Sequence, residues 1–224
     1  MNINVLYRPA MSMAQVQLGP NEQITAESGA MVGMSTNVHM ETGMKGGVGK
    51  AIGRMFGGES FFQNTFTAQG TDGEVLLAHG LPGDIATVEV PQTGLFIQSS
   101  SYIATTPAVN VETQLGNFKT FFGGEGLFVL KATASGPGQP VVIGAFGGIH
   151  EIQCDGNLVI DNGHLVAWET TLNYKMVKSA KGFLASFLSG EGLVFQFEGQ
   201  GRIWIQTRNP SEFGTMVGRM LPPV

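Results

Sequence analysis

Apolar and polar residues alternate along short stretches of the chain, with the period of two that a half-buried β-strand requires. Val38-His39-Met40 and Val109-Asn110-Val111 follow this alternation. Three longer stretches, residues 60–68, 126–134 and 192–200, are dense in aromatic and β-branched residues and run into glycine-containing turns. Such stretches are typical of strands. The pattern therefore predicts an all-β fold.

A second strand is predicted after each of these turns, over residues 74–79, 141–146 and 202–207. Two strand patterns separated by a short turn are typical of a β-hairpin. We therefore predict that the chain holds three hairpins.

The predicted hairpins belong to an internal repeat. Each follows a Gly-Glu phrase whose glutamates, Glu59, Glu125 and Glu191, are 66 residues apart in both intervals. Self-similarity at a fixed period indicates a repeated architecture, and units of this size bury little surface alone. We predict three β repeats packed as one compact unit. Their boundaries are residues 1–83, 84–147 and 148–208, followed by a C-terminal helix and tail over residues 209–224.

A second phrase recurs upstream of the glutamates, with looser spacing. A strand is predicted to follow each copy, because apolar residues return six and eight positions after its middle residue. The three copies are Met31-Val32-Gly33, Tyr102-Ile103-Ala104 and Leu165-Val166-Ala167.

Helix signals are confined to two places. Asn209-Pro210-Ser211-Glu212 combines an N-cap residue, a proline at the first helical position and an early acid. We predict a short helix from there to about Met220, ended by Pro222-Pro223. Residues 177–188 are amphipathic enough for one or two helical turns.

Composition narrows the class of protein. Hydrophobic residues make up 42% of the 224 positions and charged residues only 13%, which favours a globular chain over a disordered one. Cys154 is the only cysteine, so an intramolecular disulfide and a zinc site built from cysteines are excluded. A net charge of −5 argues against a general nucleic-acid binder. No 18 apolar residues run together, and we expect a cytoplasmic protein in a reducing compartment.

Four phrases in a fixed order resemble a known family. They are Gly-Ala-Met-Val (29–32), Gly-Gly-Glu-Ser-Phe-Phe (57–62), Gly-Leu-Pro-Gly (80–83) and Ser-Gly-Glu-Gly-Leu (189–193). Together they are similar to the "altered inheritance of mitochondria" family, a bacterial and mitochondrial domain of unknown function. The resemblance covers nearly the whole chain.

The resemblance implies three repeats, each similar to a protomer of the trp RNA-binding attenuation protein, a short double-stranded β-helix. It also implies a homo-oligomer, for which a trimer is the expected form. Mitochondrial members of the family are linked to inner-membrane organisation. The family carries no catalytic residue, so none is transferred, and function does not follow from the fold alone.

The three glutamates allow two interpretations. They could converge on an axis and bind a cation, since hard cations prefer carboxylate oxygens. They could instead anchor glycine-rich turns by accepting backbone N–H hydrogen bonds. Repetition follows from duplication alone, so we interpret Glu59, Glu125 and Glu191 as turn anchors.

Other candidate chemistry is weak. Gly46-Gly47-Val48-Gly49-Lys50-Ala51 lacks the early glycine and the final hydroxyl of a phosphate-binding loop. The four histidines lack the spacing of metal ligands on one helix face. His164 and Glu169, near Trp168, form the one polar and aromatic group worth testing. We expect no catalytic site, no metal site and no cofactor.

The sixteen residues before each glutamate combine basic and apolar side chains. They hold seven of the twelve basic residues and a single acid, Glu112. One interpretation is a face for anionic lipid or an acidic protein; the other is a solvated rim around the core. The basic residues of this candidate interaction face are Lys45, Lys50, Arg54, Lys119, Lys175, Lys178 and Lys181.

The sequence thus predicts a non-catalytic oligomeric scaffold or interaction protein, with an anionic membrane surface as one place of action. Two alternatives stay open: a ring that binds a small molecule or nucleic acid, and an enzyme of unrecognised type.

Overall fold

A computed structural model describes residues 1–43, 62–114, 128–178 and 193–222. Within these residues the chain is almost entirely β, as predicted, with one α-helix near the C-terminus. The strands are β1 (Asn2–Leu6), β2 (Met13–Leu18), β3 (Gln23–Glu27), β4 (Met31–Met34), β5 (Val38–Gly43), β6 (Gln63–Ala68), β7 (Gly73–Ala78), β8 (Ile85–Glu89), β9 (Leu95–Gln98), β10 (Tyr102–Thr105), β11 (Val109–Gln114), β12 (Val129–Ala134), β13 (Pro140–Gly144), β14 (Ile149–Asp161), β15 (Leu165–Glu169), β16 (Asn173–Lys178) and β17 (Leu193–Gln206), and the helix is α1 (Pro210–Gly218).

Strand pairing follows one pattern three times, and each occurrence is here called a pairing unit. In the first unit, β2 to β7, strand β7 lies between β2 and β4 while β6 lies between β3 and β5. The second unit, β8 to β13, repeats this arrangement with β13 and β12 as the central strands. In the third unit, β14 to β17, one long strand, β17, takes both central places. All of these pairs are antiparallel.

A β-bulge recurs at the same place in every unit. It interrupts the pairing of β4 with β7, of β10 with β13 and of β15 with β17, each time after the first residue of the shorter strand. A bulge places two residues of one strand opposite one of the other and increases the local twist. The extra residues are Val32, Ile103 and Val166, the middle residues of the recurring upstream phrase.

The predicted hairpins are wrong. Strands β6 and β7 are consecutive along the chain, yet they belong to different sheets and pair with other strands, and so do β12 and β13. The turn between them carries the chain from one sheet to the next. In the third unit no turn forms, because β17 continues through Gly199 at φ +114° while staying paired with β14. A positive φ of this kind favours glycine.

Neighbouring units are joined edge to edge. Strand β3 of the first unit pairs with β10 of the second, and β9 of the second pairs with β15 of the third. Each junction merges two three-stranded halves into one larger sheet. The sheet orders are β5-β6-β3-β10-β13-β8 and β11-β12-β9-β15-β17-β14, with β16 also paired to β17, beside a four-stranded sheet β1-β2-β7-β4.

The hydrophobic core extends across both junctions. Buried apolar residues of all three units pack in clusters across the sheets. The third cluster is aromatic: the Trp168 ring contacts Phe96, Tyr174, Phe195 and Phe197, with centroids 5.4 to 5.9 Å apart. Aromatic rings bury large areas and prefer tilted or edge contacts of this kind.

The C-terminal helix confirms the prediction made from its capping residues. The Asn209 side chain accepts hydrogen bonds from the N–H groups of Ser211 and Glu212, and Pro210 begins the helix. The Phe213 ring contacts Phe146 at 5.0 Å and attaches the helix to the sheets. The predicted helical turns at residues 177–188 are wrong at their start, since β16 extends to Lys178; the rest of that segment lies outside the described residues.

Candidate functional site

Strand β4 has an open edge. It pairs with β7 on one side, and no described residue pairs with its other side. Its side chains are also unusually exposed for such apolar residues, with Met34 at 41% and Val32 at 57%. Unpaired strand edges invite pairing with another strand.

The second half of β14 also has an open edge. Its residues pair with β17, and the described part of the chain offers no strand on the opposite side. Val159, near its end, is 58% exposed. These two edges lie in the first and the third pairing unit, so the position that forms the junctions between units is unpaired at each end of the series.

The equivalent strands inside the chain are paired and buried. At the first junction Thr25 of β3 lies opposite Thr105 of β10, which is fully buried. At the second junction Phe96 of β9 lies opposite Trp168 of β15, also fully buried. The junction that forms twice within the chain therefore leaves one strand unpaired in the first unit, β4, and one in the third, β14.

The first junction is polar. Gln63 Nε2 donates to the Tyr102 hydroxyl at 2.8 Å, and that hydroxyl donates to the Thr25 carbonyl oxygen at 3.3 Å and lies 3.0 Å from Thr105 Oγ1. Burial raises the pKa of the Tyr102 hydroxyl, so it stays protonated. Burial also raises the pKa of nearby Glu27 to about 7. The sequence did not reveal this network, because its members come from three strands, β3, β6 and β10.

A buried ion pair connects the loop between β1 and β2 to the residue that precedes β8. Arg8 donates to both Asp84 carboxylate oxygens, from Nε at 2.9 Å and from Nη2 at 2.8 Å, and Ser12 Oγ donates to Oδ1 at 3.0 Å. Asp84 is almost completely buried while the Arg8 side chain is half exposed. Complete hydrogen bonding makes a buried carboxylate tolerable.

The polar group proposed from the sequence is not brought together. Glu169 accepts from Arg202 Nε at 2.7 Å, and the Arg202 guanidinium lies over the Trp204 ring at 5.0 Å. His164 directly precedes β15, whereas Glu169 is its last residue. The Nδ1 atom of His164 lies 2.7 Å from the Gln206 carbonyl oxygen. Each side chain has its own structural partner, so the two do not form a joint site.

Most of the predicted interaction face lies outside the described residues. This holds for Lys45, Lys50, Arg54, Lys119 and Lys181, and for the turn anchors Glu59, Glu125 and Glu191. Lys175 and Lys178 lie on β16, where Lys175 is exposed. The segments that carry the other residues follow β5, β11 and β16, which hold equivalent places in the three pairing units. Both predictions stay predictions.

A surface depression lies beside the C-terminal end of β14. It measures about 660 Å³ between α1 and the turn Asn162–His164, and Met216, Arg219 and Asp161 are among its lining residues. Among the described residues no group of three or more His, Cys, Asp or Glu side chains could hold a metal ion. No helix in the same part of the chain has the length and apolarity to cross a membrane.

Comparison with known proteins places the chain in a family. Residues 3–208 match the family model for mitochondrial biogenesis AIM24. The chain belongs to the AIM24 family. An uncharacterised protein of Streptococcus pyogenes serotype M6 is 34% identical over an alignment of 220 residues, and the match covers 94% of this chain and 87% of that protein.

A solved structure resembles the whole AIM24 chain. A crystal structure of a protein from Streptococcus pyogenes, determined by a structural genomics consortium, superposes with a TM-score of 0.82 at 29% identity. The match covers 98% of this chain and 99% of the other. The family resemblance inferred from the four sequence phrases is therefore confirmed.

Proposed function

We propose that this AIM24-family protein is a non-catalytic scaffold that works as a homo-oligomer of its three-unit chain. The observation that carries the proposal is the pair of open edges on β4 and β14, since their counterparts inside the chain are paired and buried. The three pairing units are then tandem β-helix-like repeats, and three copies is the expected number in the assembly.

The non-catalytic part of the proposal is supported by how the conspicuous polar groups are used. Asp84, Glu169 and His164 each hold another part of the backbone or an arginine in place. A catalytic acid or base would instead need to reach a reacting group in a cleft.

Native mass spectrometry over a concentration series tests the proposal. We expect a discrete mass that is a whole multiple of one chain and carries no small molecule or nucleic acid. A single-chain mass at every concentration would reject the scaffold. A stoichiometric co-purifying metabolite or nucleic acid would support the ligand-binding ring instead.

An anionic membrane surface is a second candidate for the place of action. It is supported by the basic segments that follow the equivalent strands β5, β11 and β16, of which Lys175 is exposed. Clustered lysines favour anionic lipid headgroups at low salt.

Vesicle co-sedimentation separates this candidate from a solvated rim. Phosphatidylserine vesicles should bind the wild-type chain at low salt and bind a Lys175→Glu, Lys178→Glu variant less. Lys131→Glu, on β12 outside the basic segments, is the matched control and should bind as the wild type does. Equal binding by all three chains, or none at low salt, rejects a role for these lysines at membranes.

A further inference from the structure

We propose that β14 of one copy pairs antiparallel with β4 of the next, with Val159 directly opposite Met34. The inference rests on the proposed homo-oligomer and adds the two edges, their direction and their register. Copies joined in this way follow each other head to tail, because the two edges of one junction are different surfaces.

The register follows from the two junctions inside the chain. Thr25 and Phe96 each lie six residues before the first residue of β4 or β10, and Val159 lies six residues before the start of β15. Val159 therefore holds the same place in the third unit that Thr25 and Phe96 hold in the first and second. Pairing with the central strand agrees: the three residues lie opposite Thr65, Lys131 and Gln196.

The opposite side of the junction is equivalent as well. Thr105 and Trp168, which face Thr25 and Phe96, are the fourth residues of β10 and β15. Met34 is the fourth residue of β4, and the β-bulge precedes all three at the same distance. A third junction built on the same plan therefore places Met34 opposite Val159.

Backbone directions favour this pair. The Ser35 N–H donates to the Glu74 carbonyl oxygen of β7 at 2.9 Å, so the N–H and C=O groups of the preceding residue, Met34, face the open side. The Ser28 N–H donates to the Phe62 carbonyl oxygen at 3.1 Å. Since backbone groups alternate in direction along a strand, the N–H and C=O groups of Thr25, three residues earlier, point to the neighbouring unit. By equivalence Val159 faces outward, and the two residues can exchange both hydrogen bonds.

Side chains at the two edges suit a partner of the same chemistry. At the interior junctions the opposing side chains match, with threonine against threonine and an aromatic ring against tryptophan. At the open edges the opposing side chains would be methionine and valine, now 41% and 58% exposed. Pairing would also merge β16-β17-β14 with β4-β7-β2 into a sheet composed like the other two.

Two single variants test the junction. Met34→Asp places a charge on the β4 edge and leaves β14 intact, while Val159→Asp does the reverse; neither side chain belongs to the core. Met40→Asp is the matched control, since Met40 is an exposed methionine on β5 away from both edges. Native mass spectrometry and circular dichroism follow mass and folding.

We expect each edge variant to lose the wild-type oligomer mass and run as a single chain, and the control to keep it. An equimolar mixture of the two edge variants should form a dimer with one copy of each, identified by isotope labelling of one partner. This dimer also proves that both variants fold, since each still supplies one intact edge.

Failure of the inference is distinguishable from failure of the scaffold. Edge variants that keep the wild-type oligomer mass overturn the β4–β14 junction and leave the homo-oligomer standing. Single-chain variants whose mixture forms no dimer overturn the head-to-tail pairing. A wild-type chain that is monomeric throughout rejects the homo-oligomer and the junction together.

Discussion

Phe96 and Trp168 face each other across the junction between the second and third pairing units, with ring centroids 5.4 Å apart and planes tilted by 41°. Trp168 is completely buried, and three further rings surround it. The contact therefore joins two units and completes the aromatic cluster at once.

Trp168→Ala should destabilise the fold by about 3–5 kcal/mol, because it removes a large buried ring and leaves a cavity at the junction. Urea unfolding followed by circular dichroism measures the loss. Met40→Ala, at an exposed site, should stay within about 0.5 kcal/mol of the wild type. A loss for Trp168→Ala no larger than that of the control would contradict the role given to this ring.

Gly83→Ala should destabilise the chain by at least about 2 kcal/mol, since an added Cβ would overlap backbone atoms of Ala145 and Gly147. Gly83 forms an isolated parallel bridge with Gly147, so the backbone there has no room to retreat. Gly80→Ala is the matched control in the same turn, because a Cβ at Gly80 meets nothing within 4 Å. Thermal unfolding of both variants would refute the steric argument if their midpoints fell equally.

The Asp84 carboxylate should make stability depend on acid pH. Burial alone would raise its pKa, but hydrogen bonds from Arg8, Ser12 and the Ile85 N–H, together with the Arg8 charge, hold the pKa below the ordinary value of 3.8. A lowered folded-state pKa contributes stability that is complete above the unfolded value and is lost as pH falls through the folded one.

Arg8→Ala should therefore cost about 1–3 kcal/mol at pH 7, where it leaves a buried carboxylate with fewer partners. The difference from the wild type should shrink as pH falls below about 4, because the carboxyl group protonates first in the variant, which lacks the arginine that lowers its pKa. Unfolding free energies measured from pH 3 to pH 7 check this. A gap that stays constant across the series would show that the ion pair does not control the effect.

Glu27 should have the opposite pH dependence. Burial raises its pKa from the ordinary 4.5 to about 7, so the folded chain binds the proton more tightly than the unfolded chain. Its protonated form favours folding below the unfolded value, and this advantage is lost as pH rises through about 7. Glu27→Gln should therefore be more stable than the wild type at pH 8, by about 1 kcal/mol since the side chain is only partly buried.

Comparison of pH 8 with pH 5 isolates the charge. The advantage of Glu27→Gln should be smaller at pH 5, where the wild-type carboxyl group is largely neutral. An equal advantage at both pH values would point to packing of the amide and not to ionisation.

Short-range patterns predicted the strands well and their partners poorly. The upstream phrases lie on β4, β10 and β15, and the capping residues at Asn209 begin α1. The hairpins failed because a turn such as residues 69–72 allows the chain either to fold back or to cross to another sheet. Which of these occurs depends on strands that are distant in sequence, since β2 pairs with β7 and β3 pairs with β6.

The candidate edges were beyond sequence reasoning for a related reason. Met34 and Val159 carry no local signal, and they become conspicuous only beside the buried pairs at the equivalent interior positions. The periodic glutamates predicted a repeated chain. Their equal spacing could not reveal that β4 and the second half of β14 lack a partner among the described residues.

The ribbon formed by β14 and β17 has a consequence for motion. Thirteen consecutive residue pairs join these strands without a break, whereas the equivalent strands of the other units are interrupted by turns. Local opening must separate a cooperative block of backbone hydrogen bonds there, and amide protons exchange with solvent only when such a block opens. The third unit is therefore expected to retain its amide protons longest, and the four-stranded sheet at the other end to release them first.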